Sequence, residues 1–236
     1  KEYHPNDGIR AIDWKATARR RTLISRQYTV ERDQRVVFLL DSGARMRAKD
    51  GTLSHFDHAL NAMLLLSHVA LRQGDTVAAK IFGPTKLWLS ELRGVGAMTH
   101  LLNTVYATHT GPQTADFVSA AQELMQQQRK RSLVVLMTNL REEDRDLIPA
   151  LQLLRRRHVV MLASLRESVV DDVLAEPAMS FDEALNVAGA SRYLGQRNMS
   201  QTAFAQDAHL LIDCVPTQLP MALVNSYWQL KSAGTL

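Results

Sequence analysis

The residues of this chain with the clearest potential for chemistry lie in a short loop that follows an apolar run. Residues 36–40 are all apolar, and Asp41, Ser42, Gly43 and then Arg45 come after them. An apolar run that ends in an acid and small residues is typical of a buried parallel strand ending at a ligand-binding crevice. Carboxylate and hydroxyl oxygens are ligands of Mg²⁺, whereas the guanidinium of Arg45 repels a divalent ion. The loop therefore predicts a crevice that either binds a cation or holds Arg45 in its place.

The elements that must position this loop alternate along the chain. Apolar stretches predict strands at residues 35–40, 76–82, 132–137, 158–164 and 209–212. The stretches between them have apolar residues at helical spacing, as does a last helix at 220–231. This alternation predicts an α/β fold in three layers, with a mainly parallel central sheet covered on both faces. We predict an N-terminal segment over residues 1–33 and one domain over residues 34–236.

Two further polar residues are expected at the same edge of the sheet. Thr114 opens a predicted helix after the loop that contains Gly111 and Pro112, and Asn139 follows the strand at 132–137. Ligands of parallel sheets bind beyond the carboxyl ends of the strands. We therefore expect Thr114 and Asn139 to line one crevice together with Asp41.

Composition excludes several classes of protein. The single cysteine excludes a disulfide within the chain, and no stretch approaches the roughly 18 to 20 apolar residues that span a bilayer. The net charge of +4 arises in residues 1–35, which contain nine Lys and Arg and five Asp and Glu. No known DNA- or RNA-binding pattern accompanies this charge, so a nucleic acid partner is not expected.

The polar positions at the crevice resemble the metal-ion-dependent adhesion site of von Willebrand factor A domains. That site consists of Asp-x-Ser-x-Ser after the first strand, a distant Thr, and an Asp after a later strand. Asp41 and Thr114 match it, and Ser42 lies beside the pattern but out of register. Three positions are changed, and they hold Gly43, Arg45 and Asn139. The resemblance implies an oxygen-ligand site for Mg²⁺ that has lost most of its ligands.

The first residues narrow the resemblance to one family. They are similar to the signature of the bacterial family known as domain of unknown function 58, which runs approximately Arg-x-Tyr-x-Pro-Gly-Asp-x-x-Arg-x-Ile-Asp-Trp-x-x-x-Ala-Arg before a von Willebrand A domain. The matching residues are Tyr3, Pro5, Asp7, Arg10, Ile12, Asp13, Trp14, Ala18 and Arg19, with Asn6 at the Gly position. Residues 223–231 also resemble the ending of the family.

The side chains of this signature allow two interpretations. Arg10 can pair with Asp7 or Asp13, and Arg19 can stack on Trp14. In the first interpretation they form a clasp that fixes the segment to the domain, with Trp14 as its apolar anchor. In the second they form a docking surface for another protein. The two are compatible if only the basic edge at 19–21 contacts that protein.

The resemblance also implies a cellular setting. Members of the family are anchored in the bacterial inner membrane by helices that precede this region, and the resemblance places the domain on the cytoplasmic side. They are associated with MoxR-type AAA+ ATPases, which implies such an ATPase, and client proteins, as partners. The chain opens on Lys1, so we expect it to be a soluble fragment of a longer protein.

We therefore predict a non-catalytic protein-interaction module. Its recognition site is the crevice formed by Asp41, Ser42, Arg45, Thr114 and Asn139. In this hypothesis Arg45 replaces the cation, either by pairing with Asp41 or by receiving an acidic residue of the partner. The alternative is a Mg²⁺-dependent adhesion module in which Asp41, Ser42 and Thr114 supply oxygens. A hydrolase is a remote alternative, because the sequence shows no nucleophile and base at a useful spacing.

Overall fold

The computed structural model describes residues 14–24, 33–141, 144 and 146–236. The chain divides into two compact units, residues 1–31 and residues 32–236. In the first unit, helix α1 spans Trp14–Arg20, and the amide of Ile24 donates to the Thr17 hydroxyl just after it. The signature residues Asp7, Arg10 and Asp13 lie outside the described residues.

The second unit is built on a mixed sheet. Its strands in the described residues are β1 Arg35–Asp41, β4 Thr76–Phe82, β5 Leu87–Leu92, β6 Leu133–Thr138, β7 Val159–Leu165 and β8 Leu210–Cys214. Their order across the sheet is β5-β4-β1-β6-β7-β8. All neighbours pair in parallel except the edge strand β5, which is antiparallel to β4. A short separate ribbon pairs β2 Lys49–Asp50 with β3 Leu53–Ser54.

Helices cover both faces of this sheet. They are α2 His55–Arg72, α3 Ala97–Val105, α4 Phe117–Gln127, α5 Leu147–Arg155, α6 Val169–Ala175, α7 Phe181–Asp207 and α8 Leu219–Ser232. Buried residues of α2, α3 and α8 form one core cluster with the sheet, and α4, α5 and Phe204 of α7 form the other. The three-layer α/β fold with a mainly parallel sheet is therefore confirmed.

Strand β1 shows why the chain adopts this arrangement. Val36, Phe38 and Leu40 belong to the core cluster on one face, whereas Val37 and Leu39 belong to the cluster on the other. Side chains of a strand alternate between the two faces, and both faces are covered here. The strand must therefore be apolar at every position from 36 to 40, which is the pattern the sequence shows.

The topology places a crevice at the end of β1. From β1 the chain crosses to β4 on one side, and it later returns to place β6 on the other side. Neighbouring strands whose connections leave in opposite directions leave a gap beyond their carboxyl ends. Asp41 is the last residue of β1. Thr138 is the last residue of β6, and Asn139 comes directly after it. These residues therefore meet at this gap.

Helix α7 is unusual among the described helices. It is 27 residues long, but only Arg197 and Phe204 in it are buried. Its second half packs on the domain through Phe204, and the residues before Tyr193 are mostly exposed. No helix in the described part of the chain is long and apolar enough to cross a membrane.

Candidate functional site

Asp41 is the innermost group of the crevice. It is fully buried, and its two carboxylate oxygens have different roles. Oδ1 accepts the amide of Gly43 at 2.7 Å, and Oδ2 accepts the hydroxyl of Thr138 at 2.7 Å. Burial raises the pKa of Asp41, while these two hydrogen bonds and the charge of Arg45 oppose the rise. Both oxygens are thus already bound by protein groups.

Arg45 lies between two carboxylates. Its Nη1 donates to Asp144 Oδ2 at 2.6 Å, and its Nε lies 3.8 Å from Asp41 Oδ2. Nη1 also lies 3.3 Å from the carbonyl oxygen of Asn139. The guanidinium carbon lies 5.3 Å from the centre of the Phe117 ring, in cation–π geometry. The side chain is only 11% exposed, so its charge is largely enclosed by the acids that balance it.

The residues between Asp41 and Arg45 turn the loop tightly against its neighbours. The Ser42 hydroxyl donates to the carbonyl of Phe82 at 2.8 Å and accepts the amide of Thr85. A β-carbon on Gly43 would lie 3.0 Å from the amide nitrogen of Ala115 and 3.1 Å from the carbonyl oxygen of Gln113. The φ of Gly43, −73°, is open to any residue, so glycine is favoured here by this close approach of backbone and not by its conformation.

Thr114 is placed differently from the other predicted residues. Its segment reaches the loop through backbone, since the amide of Ala44 donates to the carbonyl of Gln113 at 3.0 Å. The Thr114 side chain itself is exposed and lines a separate cavity of about 320 Å³ together with Lys80 and Asp116. Phe117 is the side chain of this segment that contacts Arg45.

Asn139 connects the crevice to a second polar network. Its amide nitrogen donates to Glu167 Oε1 at 2.9 Å, and its side-chain oxygen accepts Arg197 Nη1 at 3.3 Å. Glu167 Oε2 accepts the Tyr193 hydroxyl at 2.7 Å. Glu167 follows β7 just as Asn139 follows β6, so the two meet at the carboxyl edge of the sheet. The structure therefore extends the crevice toward α7.

Arg197 is the centre of this network and is almost fully buried. Nε and Nη2 pair with Asp213, with a closest contact of 2.7 Å. Besides Asp213, acceptors on five residues receive its N–H groups: the Asn139 side-chain oxygen, the Tyr193 and Ser164 hydroxyls, and the carbonyls of Leu140 and Leu165. Burial disfavours its charge, but the hydrogen bond and charge of Asp213 leave the pKa of Arg197 raised. Its charge is fixed and its donors are used internally.

The other groups of this network are held in defined protonation states. Burial would raise the pKa of Glu167, but hydrogen bonds from Tyr193 and Asn139 lower it below the ordinary value. Burial, with the hydrogen bond to Glu167, raises the pKa of Tyr193 to about 12. At neutral pH the glutamate is thus ionised and the phenol neutral, as their hydrogen bond requires.

A pocket opens beside this network, which we call the α7 pocket. Its volume is about 230 Å³. Leu140 lines it, together with the polar residues Arg141, Glu167, Tyr193, Gln196, Arg197 and Ser200. The backbone amide of Arg141 donates to Asp144 Oδ2 at 2.8 Å, and the same oxygen accepts Arg45. The backbone of Arg141, a residue of the pocket, and the guanidinium of Arg45 are therefore bound by the same carboxylate.

The N-terminal signature contributes only α1 to the described structure. Trp14 begins this helix and is 64% exposed, and Arg19 lies five residues later. Positions five apart on a helix face directions about 140° apart. In keeping with this, the interactions found for the described residues include no stacking of Arg19 on Trp14.

Sequence reasoning missed four residues of the site. Asp144 lies in the charged run at 141–146, and Glu167 follows a predicted strand, so both carried a signal. Tyr193 and Arg197 carried none, because a polar residue in the middle of a long helix is ordinarily solvated. Of the predicted residues, the structure brings Asp41, Arg45 and Asn139 together. It turns the Ser42 hydroxyl toward β4 and the Thr114 side chain toward another cavity.

Comparison with known proteins identifies the family. A family model described as "Protein of unknown function DUF58" matches residues 1–175. Among proteins with curated descriptions, none matches the chain in sequence.

Solved structures identify the fold. Proximal thread matrix protein 1 from the mussel byssus, in a structure with a zinc-occupied MIDAS motif, has a TM-score of 0.53 at 10% identity; the match covers 87% of this chain and 47% of that one. A von Willebrand factor type A protein from Catenulispora acidiphila has a TM-score of 0.48 at 13% identity, covering 83% and 42%. BatB from Bacteroides thetaiotaomicron has a TM-score of 0.44 at 14% identity, covering 56% and 66%. The match to the thread matrix protein confirms the von Willebrand A-like fold that the sequence predicts.

Proposed function

We propose that this chain, which belongs to the DUF58 family, is a protein-interaction module in which Arg45 takes the place of a divalent cation. The observation that carries the proposal is the position of one guanidinium between two buried acids, 2.6 Å from Asp144 and 3.8 Å from Asp41. A cation bound there by oxygen ligands would neutralise the same carboxylates.

The ligand chemistry of the loop supports this proposal. Mg²⁺ requires about six oxygen ligands in near-octahedral geometry. Both oxygens of Asp41 already accept hydrogen bonds, the Ser42 hydroxyl is engaged with β4, and Gly43 has no side chain. The guanidinium of Arg45, whose Nε lies 3.8 Å from Asp41 Oδ2, would also repel a divalent ion bound to Asp41. These residues do not fit a Mg²⁺ site.

The surroundings of Arg45 favour one of its two predicted roles. Its Nη1 is engaged by Asp144 and by the carbonyl of Asn139, and little of the side chain is exposed. A partner's acid would therefore have to displace an existing ion pair in order to bind it. We propose that Arg45 holds the crevice in shape, and that the partner contacts the rim around it.

The partner we propose is a MoxR-type AAA+ ATPase, acting together with client proteins. This part rests on the family resemblance, as does a membrane-anchored parent protein with this domain on the cytoplasmic side of the bacterial inner membrane. A non-catalytic role is supported by the charged groups of the crevice, where Arg45 pairs with Asp144, Arg197 pairs with Asp213, and Glu167 accepts the Tyr193 hydroxyl.

Calorimetry tests the replacement of the cation. We expect no measurable heat when Mg²⁺ or Mn²⁺ is titrated into the protein, and the same flat trace for Asp41→Asn. Micromolar binding by the wild type that Asp41→Asn abolishes would overturn the proposal and establish a metal-dependent adhesion module.

A capture experiment tests the partnership. The immobilised chain is expected to retain a MoxR-type ATPase, and folded Arg45→Ala protein is expected to retain less. Arg47→Ala is the matched control, because Arg47 is an exposed residue of the same short helical turn, Ala44–Arg47. Equal retention by Arg45→Ala would move the contact to the basic edge at Arg19, Arg20 and Arg21.

A further inference from the structure

We infer that the α7 pocket receives one acidic side chain of a protein partner, an inference that rests on the proposed interaction function. The pocket is assigned from three observations: its size, the groups in it that are already engaged, and the donors in it that are free.

The size of the pocket limits its occupant. Pockets for small molecules and cofactors typically have volumes of about 300 to 1,000 Å³. The α7 pocket has about 230 Å³ and is partly open to solvent. It is therefore suited to one projecting side chain, whose main chain stays on the surface of the domain.

Most polar groups of the pocket are already satisfied. Glu167 accepts Asn139 at one oxygen and Tyr193 at the other. The Tyr193 hydroxyl also accepts Arg197 Nη1 at 3.1 Å. The guanidinium of Arg197 is engaged at all three nitrogens. These residues form the wall of the pocket and have no donor left for an occupant.

Arg141 and Gln196 are the exceptions. Neither side chain makes a hydrogen bond or ion pair with any residue that the structure describes, and Arg141 is exposed at the pocket mouth. A guanidinium offers five N–H donors in a fork that matches a carboxylate, and a carboxamide adds two. Apart from the Gln196 amide oxygen, these free side-chain groups are donors, and a carboxylate is the side-chain group that uses donors best.

Charge balance is consistent with this occupant. The charge of Glu167 is shared with Asn139 and Tyr193 and faces Arg197, which also pairs with Asp213. Arg141 has no acid among the described residues at salt-bridge distance. An incoming carboxylate would pair with Arg141, whereas an incoming lysine would meet two arginines.

The location of the pocket connects it to the rim of the crevice. Asp144 Oδ2 accepts the backbone amide of Arg141 and the guanidinium of Arg45. Arg141 is therefore positioned by the same carboxylate that holds Arg45. A partner that contacts the rim around Arg45 can place a side chain in the α7 pocket without a change in this framework.

A titration with small probes tests the inference. N-acetyl-glutamate N-methylamide is added to ¹⁵N-labelled protein, with the glutamine and lysine analogues as comparisons. We expect the glutamate probe to shift the backbone amides of Arg141 and Gln196 with an affinity of roughly millimolar strength. Arg141→Gln is expected to weaken it about tenfold, because a charge-assisted bidentate contact is lost.

Arg192→Gln is the matched control. Arg192 is an exposed arginine of α7 that does not line the pocket, so its replacement should leave the titration unchanged. The inference is overturned if the glutamine or lysine probe binds as well as the glutamate probe, if no probe binds, or if Arg141→Gln has no effect.

The probes need no ATPase, so the two proposals fail separately. If no probe binds while the ATPase is captured normally, the inference about the α7 pocket is overturned and the proposed function stands. Probe binding without capture overturns the proposed ATPase partnership and leaves the pocket. If both hold, Arg141→Gln is expected to reduce the captured ATPase, and Arg192→Gln is not.

Discussion

A single guanidinium between two buried acids determines the chemistry of this site. Asp41 is fully buried and Asp144 is 3% exposed, so bulk water solvates neither carboxylate to any extent. Removing one member of a buried ion pair leaves the other charge uncompensated in a medium of low dielectric. Arg45 is therefore required for the stability of the crevice as well as for its proposed role.

Arg45→Ala is expected to lower the free energy of unfolding at pH 7 by about 3 to 5 kcal/mol, the usual effect of breaking a buried pair. Urea denaturation followed by circular dichroism measures it. Arg47→Ala should change the same quantity by less than about 0.5 kcal/mol, because Arg47 is exposed. Equal losses in the two variants would show that the acids do not depend on Arg45.

The loss in Arg45→Ala should also depend on pH. Burial raises the pKa of Asp41 above its ordinary 3.8, and the charge of Arg45 opposes this rise. Without Arg45 the pKa of the folded state rises further. A carboxyl group whose pKa is higher in the folded state than in the unfolded state makes folding more favourable as the pH falls from above the folded-state pKa toward the unfolded-state pKa.

Urea denaturation at pH values from 7 to about 4 measures this dependence. The difference in the free energy of unfolding between wild type and Arg45→Ala, here called the gap, is expected to narrow as the pH falls. In an Asp41→Asn background this difference should narrow less as the pH falls, because only the contact of Arg45 with Asp144 remains. A gap of constant size in both backgrounds would assign the penalty to another group.

Helices α2 and α7 begin with the same capping motif but have different surroundings. Ser54 and Asp57 form a capping box on α2, as Ser180 and Glu183 do on α7. Eight residues of α2 are buried, including Phe56 in its first turn. The first half of α7 is mostly exposed. Loss of the cap should therefore lower the stability of the whole domain more in α2 than in α7.

Ser54→Ala is expected to lower the global free energy of unfolding by about 1 kcal/mol, the usual contribution of a helix cap. Ser180→Ala should leave that quantity almost unchanged and instead speed amide hydrogen exchange in the first turns of α7, which can open alone. Denaturation and exchange measured on both variants test this. An equal global loss in the two would mean that the start of α7 unfolds together with the core.

One buried cluster fastens the end of the chain to the body of the domain. Asp75, just before β4, accepts Lys231 Nζ at 2.6 Å and the Tyr227 hydroxyl, both from α8. Asp75 Oδ1 also accepts the amide of Gln34, which precedes β1. The side chains of Asp75, Tyr227 and Lys231 are almost completely buried. The cluster connects residues 156 positions apart, and so it contributes to the whole fold and not to one element.

Lys231→Met is expected to lower the free energy of unfolding by about 3 to 5 kcal/mol, because the buried carboxyl group of Asp75 loses its ion-pair partner. Adding Asp75→Asn should recover part of the loss, since Asn keeps an acceptor for Tyr227 and has no charge. Chemical denaturation of the two single variants and the double variant measures the coupling. Strictly additive losses would contradict it.

The sequence by itself determined the layered fold, the family and the end of β1 as the crevice. Each rests on a local pattern. The run at 36–40 is apolar at every position because both faces of a central strand are covered, and an acid after such a strand falls at the carboxyl edge. The boundary at residue 33 and the ATPase partner are still predictions.

Only the tertiary structure decided which side chains share the crevice. Asp144 was visible as part of a charged run, but its contact with Arg45 joins residues 99 apart. Arg197 could be placed only once α7 was known to pack beside β7 and β8. Thr114 has a suitable residue type and spacing, yet its side chain faces another cavity while Phe117 contacts Arg45. Periodicity determines which face of an element is buried, whereas contacts between elements depend on how they pack, which no local pattern encodes.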